Sequence, residues 1–179
     1  MEDTKIETAL AGLSLKQFMG QINQDRPEIT GGCVLLINAS SSTAMILMAL
    51  RISLKRNKDA GLKRSLRRRI RSLTTSHVQL FEAAESDLKI FNEYRSALKS
   101  KSKNKATKLI SNLIKATKSL LEAGTLLSKT IEEARSTLAY ADITVTSDVE
   151  AGLLILEATL KAIQNMAESN LRMVESQSH

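Results

Sequence analysis

One carboxylate lies on an apolar helix face, where it is costly unless it has a partner or a chemical role. Asp87 belongs to a series of residues spaced alternately three and four apart, the spacing of one side of a helix. The positions are Leu66, Ile70, Leu73, His77, Leu80, Ala84, Asp87, Phe91, Tyr94 and Leu98. Burial raises the pKa of a carboxyl group and suits it to proton transfer. Two interpretations stay open: a general acid/base, or a core Asp satisfied by an Arg or Lys of another helix.

Two further reactive residues have structural interpretations. His77 precedes Asp87 by ten residues on the same face, about 15 Å along a helix that rises 1.5 Å per residue. It cannot partner Asp87, and we expect a satisfied core or interface histidine. Cys33 begins another predicted helix, where the pKa of a thiol can be lowered. We expect it to be a small buried packing residue.

The sequence contains no motif for a metal or a nucleotide. It has no Cys/His cluster with metal spacing, no full-length Gly-rich phosphate loop and no nucleophile elbow. We therefore expect no metal and no prosthetic group. A formal charge of +7 favours anionic partners, and one helix side carries Arg64, Arg67, Arg68 and Arg71. Because only 3% of residues are aromatic, stacking of nucleic-acid bases is not favoured.

Helices are expected throughout the chain. One Pro and 7 Gly leave few helix breakers. A capping box, Ser14 with Gln17, starts a short helix, and regular apolar spacing predicts long helices over 66–98, 109–138 and 149–174. We expect one all-α domain over residues 1–179, a bundle of about five helices. Its long antiparallel helices would surround a buried helix rich in small residues.

That buried helix is the stretch from Thr30 to Leu50. A glycine pair leads into a segment that is apolar on nearly every side, with small residues from Ala39 to Ala44 that allow close helix packing. Free N–H groups at its start could bind an anion. A membrane span is the competing interpretation, but polar residues interrupt the apolar run at its centre. We expect a core helix, no membrane contact and, from the single Cys and the lack of a leader, a cytoplasmic location.

Once these pieces are in order, the chain resembles the cyclodeaminase domain of formiminotransferase-cyclodeaminase and the stand-alone methenyltetrahydrofolate cyclohydrolases. The matching residues are Ser14-Leu15-Lys16-Gln17-Phe18, Gly31-Gly32-Cys33-Val34, Asp87 with Phe91, Ser147-Asp148 and Asn165. The resemblance implies an all-α homodimer that binds a tetrahydrofolate derivative beside the glycine turn, with Asp87 as acid/base. It also implies a set of substrate-binding residues: Thr30, Gly31, Gly32, Cys33, Ser147, Asp148 and Asn165.

The chain departs from the family pattern at three places. The Pro-Gly-Gly-Gly-Ser turn of the family appears here as 29–33, Ile-Thr-Gly-Gly-Cys, and a turn that needed positive φ at Thr30 would be strained. A second Asn of the last helix is met only by Ser169 or Asn170. The run 67–71, Arg-Arg-Arg-Ile-Arg, replaces a mostly acidic approach to Asp87. These changes indicate a diverged member with an altered substrate or with lost catalysis.

Two functions therefore stay open. The first is a folate enzyme that uses Asp87, either a cyclohydrolase or an ammonia-releasing cyclodeaminase, and the sequence does not separate these reactions. The second is a non-catalytic helical protein whose basic face binds nucleic acid or a protein partner. In the first case the same arginines are candidates for binding a polyglutamylated folate. The apolar surface of three long amphipathic helices also predicts a symmetric homodimer. A second capping box, Ser147-Asp148-Val149-Glu150, predicts the start of the last helix and explains Ser147 and Asp148 as helix-start residues.

Overall fold

Five α-helices form the part of the chain that the computed structural model describes, residues 10–176. They are α1 (Leu15–Ile22), α2 (Gly31–Arg56), α3 (Ala60–Lys99), α4 (Lys105–Arg135) and α5 (Thr146–Ser176), with 3₁₀ helices at Leu10–Gly12 and Leu138–Tyr140. Residues 10–176 contain no β-strand, so the predicted all-α bundle is confirmed. The predicted domain, 1–179, extends past the described residues at both ends and stays a prediction.

The four long helices pack in a ring. α2 contacts α3, α3 contacts α4, α4 contacts α5, and α5 returns to α2. Short connections at 57–59, 100–104 and 136–145 make consecutive helices antiparallel. The start of α2, the second half of α3, the first half of α4 and the second half of α5 therefore meet at one end of the bundle.

The predicted apolar face of α3 forms part of the core. Leu66, Leu73, Leu80 and Ala84 are completely buried, and Asp87 on the same face is only 7% exposed. His77 lies between them and is satisfied by α2, as expected: the Ser40 hydroxyl donates to the His77 carbonyl at 3.1 Å, and His77 Nδ1 lies 3.0 Å from the Ser40 carbonyl oxygen. The three-and-four spacing therefore identified the buried side of α3.

Small residues bring α2 and α5 into close contact. A methyl group added at Gly152 of α5 would lie 2.6 Å from Ile46 Cγ1 and 3.2 Å from the Ser42 carbonyl oxygen, so only glycine fits there. By length and composition α2 could cross a membrane, but 56% of its most apolar window is buried inside the bundle. Core helices of soluble proteins pass the same test, and the helix is no sign of a membrane span.

Local signals at the helix starts were predictive in one case and misleading in another. The capping box of α1 is confirmed, because Ser14 Oγ accepts from Gln17 N–H at 3.3 Å and Gln17 Oε1 accepts from Ser14 N–H at 2.8 Å. The capping box expected at Ser147 is wrong. α5 begins at Thr146, and the preceding turn already closes with the Val145 N–H donating to the Asp142 carbonyl at 2.9 Å. Ser147 therefore lies inside the first helical turn.

Candidate active site

Thr30 starts α2 and organises the site. Its hydroxyl oxygen accepts a hydrogen bond from the Cys33 N–H at 2.8 Å, which makes Thr30 the N-cap of the helix. The residue has φ −79° and ψ 159°, ordinary extended backbone. Among residues 10–176 none has a positive φ, so the strain considered for Thr30 does not arise. The turn therefore forms with Thr at position 30, where the resemblance implied a glycine.

The same hydroxyl reaches Asp87 of α3. Thr30 Oγ1 donates to Asp87 Oδ2 across 57 residues of sequence. Asp87 forms no ion pair with any described residue, so the interpretation as a core Asp neutralised by Arg or Lys is wrong. Its carboxylate instead lies at the start of α2, where the helix dipole and the free N–H groups favour a negative charge.

Gly32 allows this close approach. A methyl group at position 32 would lie 2.9 Å from each carboxylate oxygen of Asp87 and 3.0 Å from its Cγ. Real Cβ atoms do not come that close to other heavy atoms, so any side chain here would displace the carboxylate. The glycine at position 32 is therefore explained by space for Asp87 and not by backbone conformation.

Opposing effects act on the Asp87 carboxyl group. Burial raises its pKa above the ordinary Asp range, while the Thr30 hydroxyl and the Cys33 N–H lower it by stabilising the anion. The raising effect is the larger. Such a group can hold or release a proton in a milder pH range than an exposed Asp, as a general acid/base requires.

A cavity of about 210 Å³ opens in front of Asp87. Residues from all four long helices line it: Thr30, Gly32, Asp87, Ile90, Phe91, Tyr94, Asn112, Leu113, Ala116, Leu120, Met166, Asn170 and Met173. Its wall is mostly apolar, with a few polar groups from different helices. This is the usual composition of a small-molecule site.

The structure brings together only part of the predicted site. Thr30, Gly32 and Asp87 line the cavity, and Gly31 starts α2 beside Met166 of α5, whose Cε would lie 3.6 Å from a Cβ at that position. Cys33 is fully buried behind them, as expected of a packing residue. Burial, chiefly, raises the pKa of its thiol to about 12, which makes it a poor nucleophile.

The predicted residues of α5 lie elsewhere. Ser147 and Asp148 belong to its first turn, about 27 Å along the axis from Asn165 at 1.5 Å per residue. Asn165 itself is exposed and does not line the cavity, whereas Asn170 does. Within one subunit, residues 147 and 148 therefore do not join the cavity.

Sequence reasoning missed the contribution of α4. Asn112 lines the cavity and is 8% exposed. One signal was available in the sequence. Asn112 lies four residues before Ala116 and is therefore a polar residue on the predicted apolar face of α4. Helix spacing could identify the position but not what it faces.

A larger groove of about 610 Å³ runs between α3 and α4 at the same end of the bundle. Three lysines line it, Lys89, Lys108 and Lys115, and Asn112 lines both this groove and the cavity. Lys115 pairs with Glu93 at 3.1 Å. Lys89 and Lys108 form no ion pair with any described residue, and the groove thus offers positive charge next to the cavity.

The described residues contain no group of three or more His, Cys, Asp or Glu side chains that could hold a metal ion. The residues that line the cavity offer proton-transfer and hydrogen-bonding groups. Asp87 is the one ionisable side chain among the residues that line the cavity, apart from the Tyr94 phenol.

Comparisons with known proteins identify the family of the chain and a similar fold. Residues 14–179 match the family described as formiminotransferase-cyclodeaminase. The fold is similar to the crystal structure of formiminotetrahydrofolate cyclodeaminase from Thermotoga maritima, with a TM-score of 0.68 and 18% identity over 92% of this chain and 89% of that one. A comparison with curated protein sequences finds no match.

Proposed function

The chain belongs to the formiminotransferase-cyclodeaminase family, and from that premise we propose that it is a folate one-carbon enzyme with Asp87 as its acid/base. The reaction is either formiminotetrahydrofolate cyclodeamination or methenyltetrahydrofolate hydrolysis. The observation that carries the proposal is the placement of Asp87, buried without an ion pair among the described residues, in an apolar cavity. A group held in this way is suited to proton transfer.

Cyclodeamination needs one proton acceptor that later becomes a donor. N10 of the folate attacks the carbon of the protonated formimino group, –CH=NH2+, on N5 and loses its proton to the Asp87 carboxylate, which leaves an amino group on the tetrahedral carbon. The protonated Asp87 then gives that proton to the amino group on the tetrahedral carbon. The C–N bond to this group breaks, ammonia leaves, and the methenyl bridge between N5 and N10 remains.

Hydrolysis of the methenyl bridge uses the same carboxyl group in the same order. Water attacks the bridging carbon of the methenyl cation and loses a proton to Asp87, which leaves a hydroxyl group on that carbon. Asp87 returns the proton to N5 as the bond between N5 and the carbon breaks. The hydroxyl proton is released to solvent, and a formyl group remains on N10. Both reactions need a carboxyl group that is fixed at one carbon, and the Thr30 hydrogen bond fixes Asp87 through Oδ2.

The glutamate end of a folate needs a cationic surface near the cavity. The lysine groove shares Asn112 with the cavity, whereas Arg71 is the arginine of the basic face nearest to Asp87 and lies about 24 Å away along α3 at 1.5 Å per residue. We therefore assign the anionic end, polyglutamylated or not, to the groove of Lys89, Lys108 and Lys115 rather than to the arginines. We expect the affinity of the protein for folates to rise with the number of glutamates and to fall as the salt concentration increases.

The homodimer also stays part of the proposal. Along α2 an outward stripe is only half buried or exposed: Val34, Ile37, Asn38, Ser41, Met45, Met48 and Ile52. Most of these residues are apolar, and a small serine at the centre allows a second α2 to approach closely. A second copy of the chain would bury this stripe isologously. Light scattering that gives a monomer mass at micromolar concentration contradicts the dimer.

One experiment tests the proposed reaction directly. Purified protein is mixed with methenyltetrahydrofolate, whose absorbance falls on hydrolysis, and separately with formiminotetrahydrofolate, from which ammonia and methenyl absorbance appear together. We expect turnover of one substrate, with the loss of activity in Asp87→Asn. If neither substrate is consumed by the wild-type protein, the catalytic assignment is wrong.

A further inference from the structure

Asn112 is a buried polar residue whose side chain has no hydrogen-bond partner among residues 10–176. It lies in the first turns of α4 and is 8% exposed. Its side-chain amide forms no hydrogen bond with any residue that the structure describes. The exposed part of the Asn112 side chain faces the cavity of Asp87 and the lysine groove, because Asn112 lines both.

This arrangement leaves the amide available to a ligand. The Asn112 nitrogen and oxygen are not fully shielded from water, since Arg69 Nε alone among the described side-chain atoms is buried without a hydrogen-bond partner. A ligand that enters the cavity displaces that water and must supply a donor and an acceptor in its place. Leu113 and Ala116 beside it are apolar, and an apolar side chain at 112 would match them. Thr117, farther along the same helix, shows the usual solution, since its buried hydroxyl donates to the Leu113 carbonyl at 2.8 Å.

An amide side chain offers a donor and an acceptor next to each other. It therefore recognises a ring edge that carries an acceptor beside a donor, as in a cyclic amide or an aminopyrimidinone. The pterin ring of a folate has edges of this kind, while the apolar residues of the cavity can contact its faces. Asp87 is on a different helix and remains free for the one-carbon unit.

We infer that Asn112 is a specificity-determining residue, whose amide hydrogen-bonds the heterocyclic ring of the substrate and selects rings with a paired acceptor and donor. The inference rests on the proposed function for the identity of the ring. It adds a residue from α4 to a site that the sequence had built from α2, α3 and α5. It also explains why an unpaired amide is kept in an apolar wall.

The test replaces the amide and measures binding and stability together. Asn112→Leu removes both hydrogen-bonding groups, and nearly isosteric Asn112→Asp removes the donor. We expect KM, or the dissociation constant of tetrahydrofolate from fluorescence titration, to rise about tenfold or more, while kcat changes less than about threefold. The melting temperature of ligand-free Asn112→Leu should change little, because the substitution breaks no side-chain hydrogen bond with a described residue.

Thr117→Val is the matched control, because it also removes a buried polar group from α4 but one that does not line the cavity. Its KM should stay within twofold of the wild-type value. The inference is overturned if Asn112→Asp, or a folded Asn112→Leu, keeps the wild-type KM and dissociation constant. It is also overturned if both variants lose melting temperature and activity in proportion, as a structural residue would.

Failure of this inference can be distinguished from failure of the proposed function. A wild-type protein that binds tetrahydrofolate without turning over either substrate refutes the proposed reaction, and the dissociation constants of the variants then still decide the role of Asn112. A wild-type protein that binds neither tetrahydrofolate nor free pterin overturns both.

Discussion

Two buried charges lie on the same face of α3 and have opposite surroundings. Arg69 and Asp87 are 18 residues apart, about five turns of a helix with 3.6 residues per turn, so both point into the bundle. The Arg69 side chain is 11% exposed and Asp87 is 7% exposed. The two side chains differ in whether a residue of opposite charge lies beside them.

The guanidinium end of Arg69 has several partners, although its Nε is buried without a hydrogen-bond partner among the described residues. Its guanidinium pairs with Glu133 of α4 at 3.3 Å, donates to the Ser136 hydroxyl and stacks 4.5 Å from the centre of the Tyr140 ring. The pKa of Tyr140 is lowered in return, mainly by its hydrogen bond with Arg69. These contacts hold the end of α4 and the following 3₁₀ turn against α3. Arg69 thus has a structural role.

Asp87 has hydrogen-bond donors but no counter-ion among the described residues. Thr30 and the start of α2 fix its position, while one side faces a cavity. The comparison shows that burial of a charge alone does not indicate function. A buried charge with a counter-ion is satisfied within the fold and costs stability only when its partner is removed, whereas one without a counter-ion in a cavity is available for chemistry.

The largest effect should come from Asp87→Asn. The amide keeps the shape of the side chain but cannot transfer a proton, and general acid–base catalysis is worth about 10²- to 10⁴-fold in rate. Because burial raises the pKa of Asp87, the carboxyl group stabilises the fold below its unfolded pKa and loses that contribution as pH rises through the folded pKa. At neutral pH the variant should therefore be as stable as the wild type or more stable.

Single-turnover rates and thermal melts check this prediction. Glu82→Gln serves as the control, since Glu82 is an exposed carboxylate on the same helix outside the cavity, and it should leave both values unchanged. A variant at Asp87 that melts much earlier yet turns over at the wild-type rate would reverse the comparison, because Asp87 would then be the structural charge.

Arg69→Met should show the complementary pattern. It leaves Glu133 without its partner and removes the stacking on Tyr140, which should lower the free energy of unfolding by about 2 kcal/mol, below the 3 to 5 kcal/mol of a fully buried pair. Activity per folded molecule should persist, because Arg69 is five turns from Asp87. Chemical denaturation measures the loss, with exposed Arg67→Met as a control that should change stability by less than about 0.5 kcal/mol. A lost rate at full stability would contradict this role.

The fold was predictable because its signals are local or periodic. Apolar spacing identified the buried face of α3 from Leu66 to Asp87, and the Ser14 capping box is complete within four residues. The same spacing places Arg69 on that face, yet it appeared to be one of several arginines in a basic run. Spacing gives the direction of a side chain but not the partner on another helix.

The site was only partly predictable for the same reason. Asp87 was identified as a polar exception on an apolar face, but the hydroxyl that holds it comes from Thr30, 57 residues away. Asn112 contributes through the contact of α4 with α3, which no local pattern contains. The Ser147 capping box failed because the turn that begins at Asp142 starts the helix early.

A smaller effect is expected from Thr30→Val. The variant removes the hydroxyl that lowers the pKa of Asp87, so that pKa rises further and the acidic limb of the pH profile of kcat/KM moves to higher pH. Activity should recover at pH values above that limb. Loss of the N-cap should also cost about 1 kcal/mol of stability.

Thr30→Ser is the control, because it keeps both hydrogen bonds and should restore the wild-type pH profile. A merely structural role for Thr30 would lower stability without moving the profile. An unshifted acidic limb in Thr30→Val would therefore remove Thr30 from the group that sets the protonation of Asp87.

The smallest effect should come from the outward arginines. Four arginines of the basic face are exposed and form no ion pair with any described residue: Arg64, Arg67, Arg68 and Arg71. Replacing all four with Gln should leave the stability nearly unchanged. It should even relieve the repulsion between like charges on adjacent helical turns.

The same variant tests where the glutamate tail of a folate binds. Its KM for mono- and polyglutamyl folates should stay within about twofold of the wild-type value, because the lysine groove is nearer the cavity. Weak, salt-dependent binding to DNA, measured by fluorescence anisotropy, should fall. Lys108→Gln provides the contrast and should raise KM for both forms, more strongly for the polyglutamate form. If the arginine variant instead weakens polyglutamate binding while Lys108→Gln does not, the tail binds the basic face and the assignment to the lysine groove is wrong.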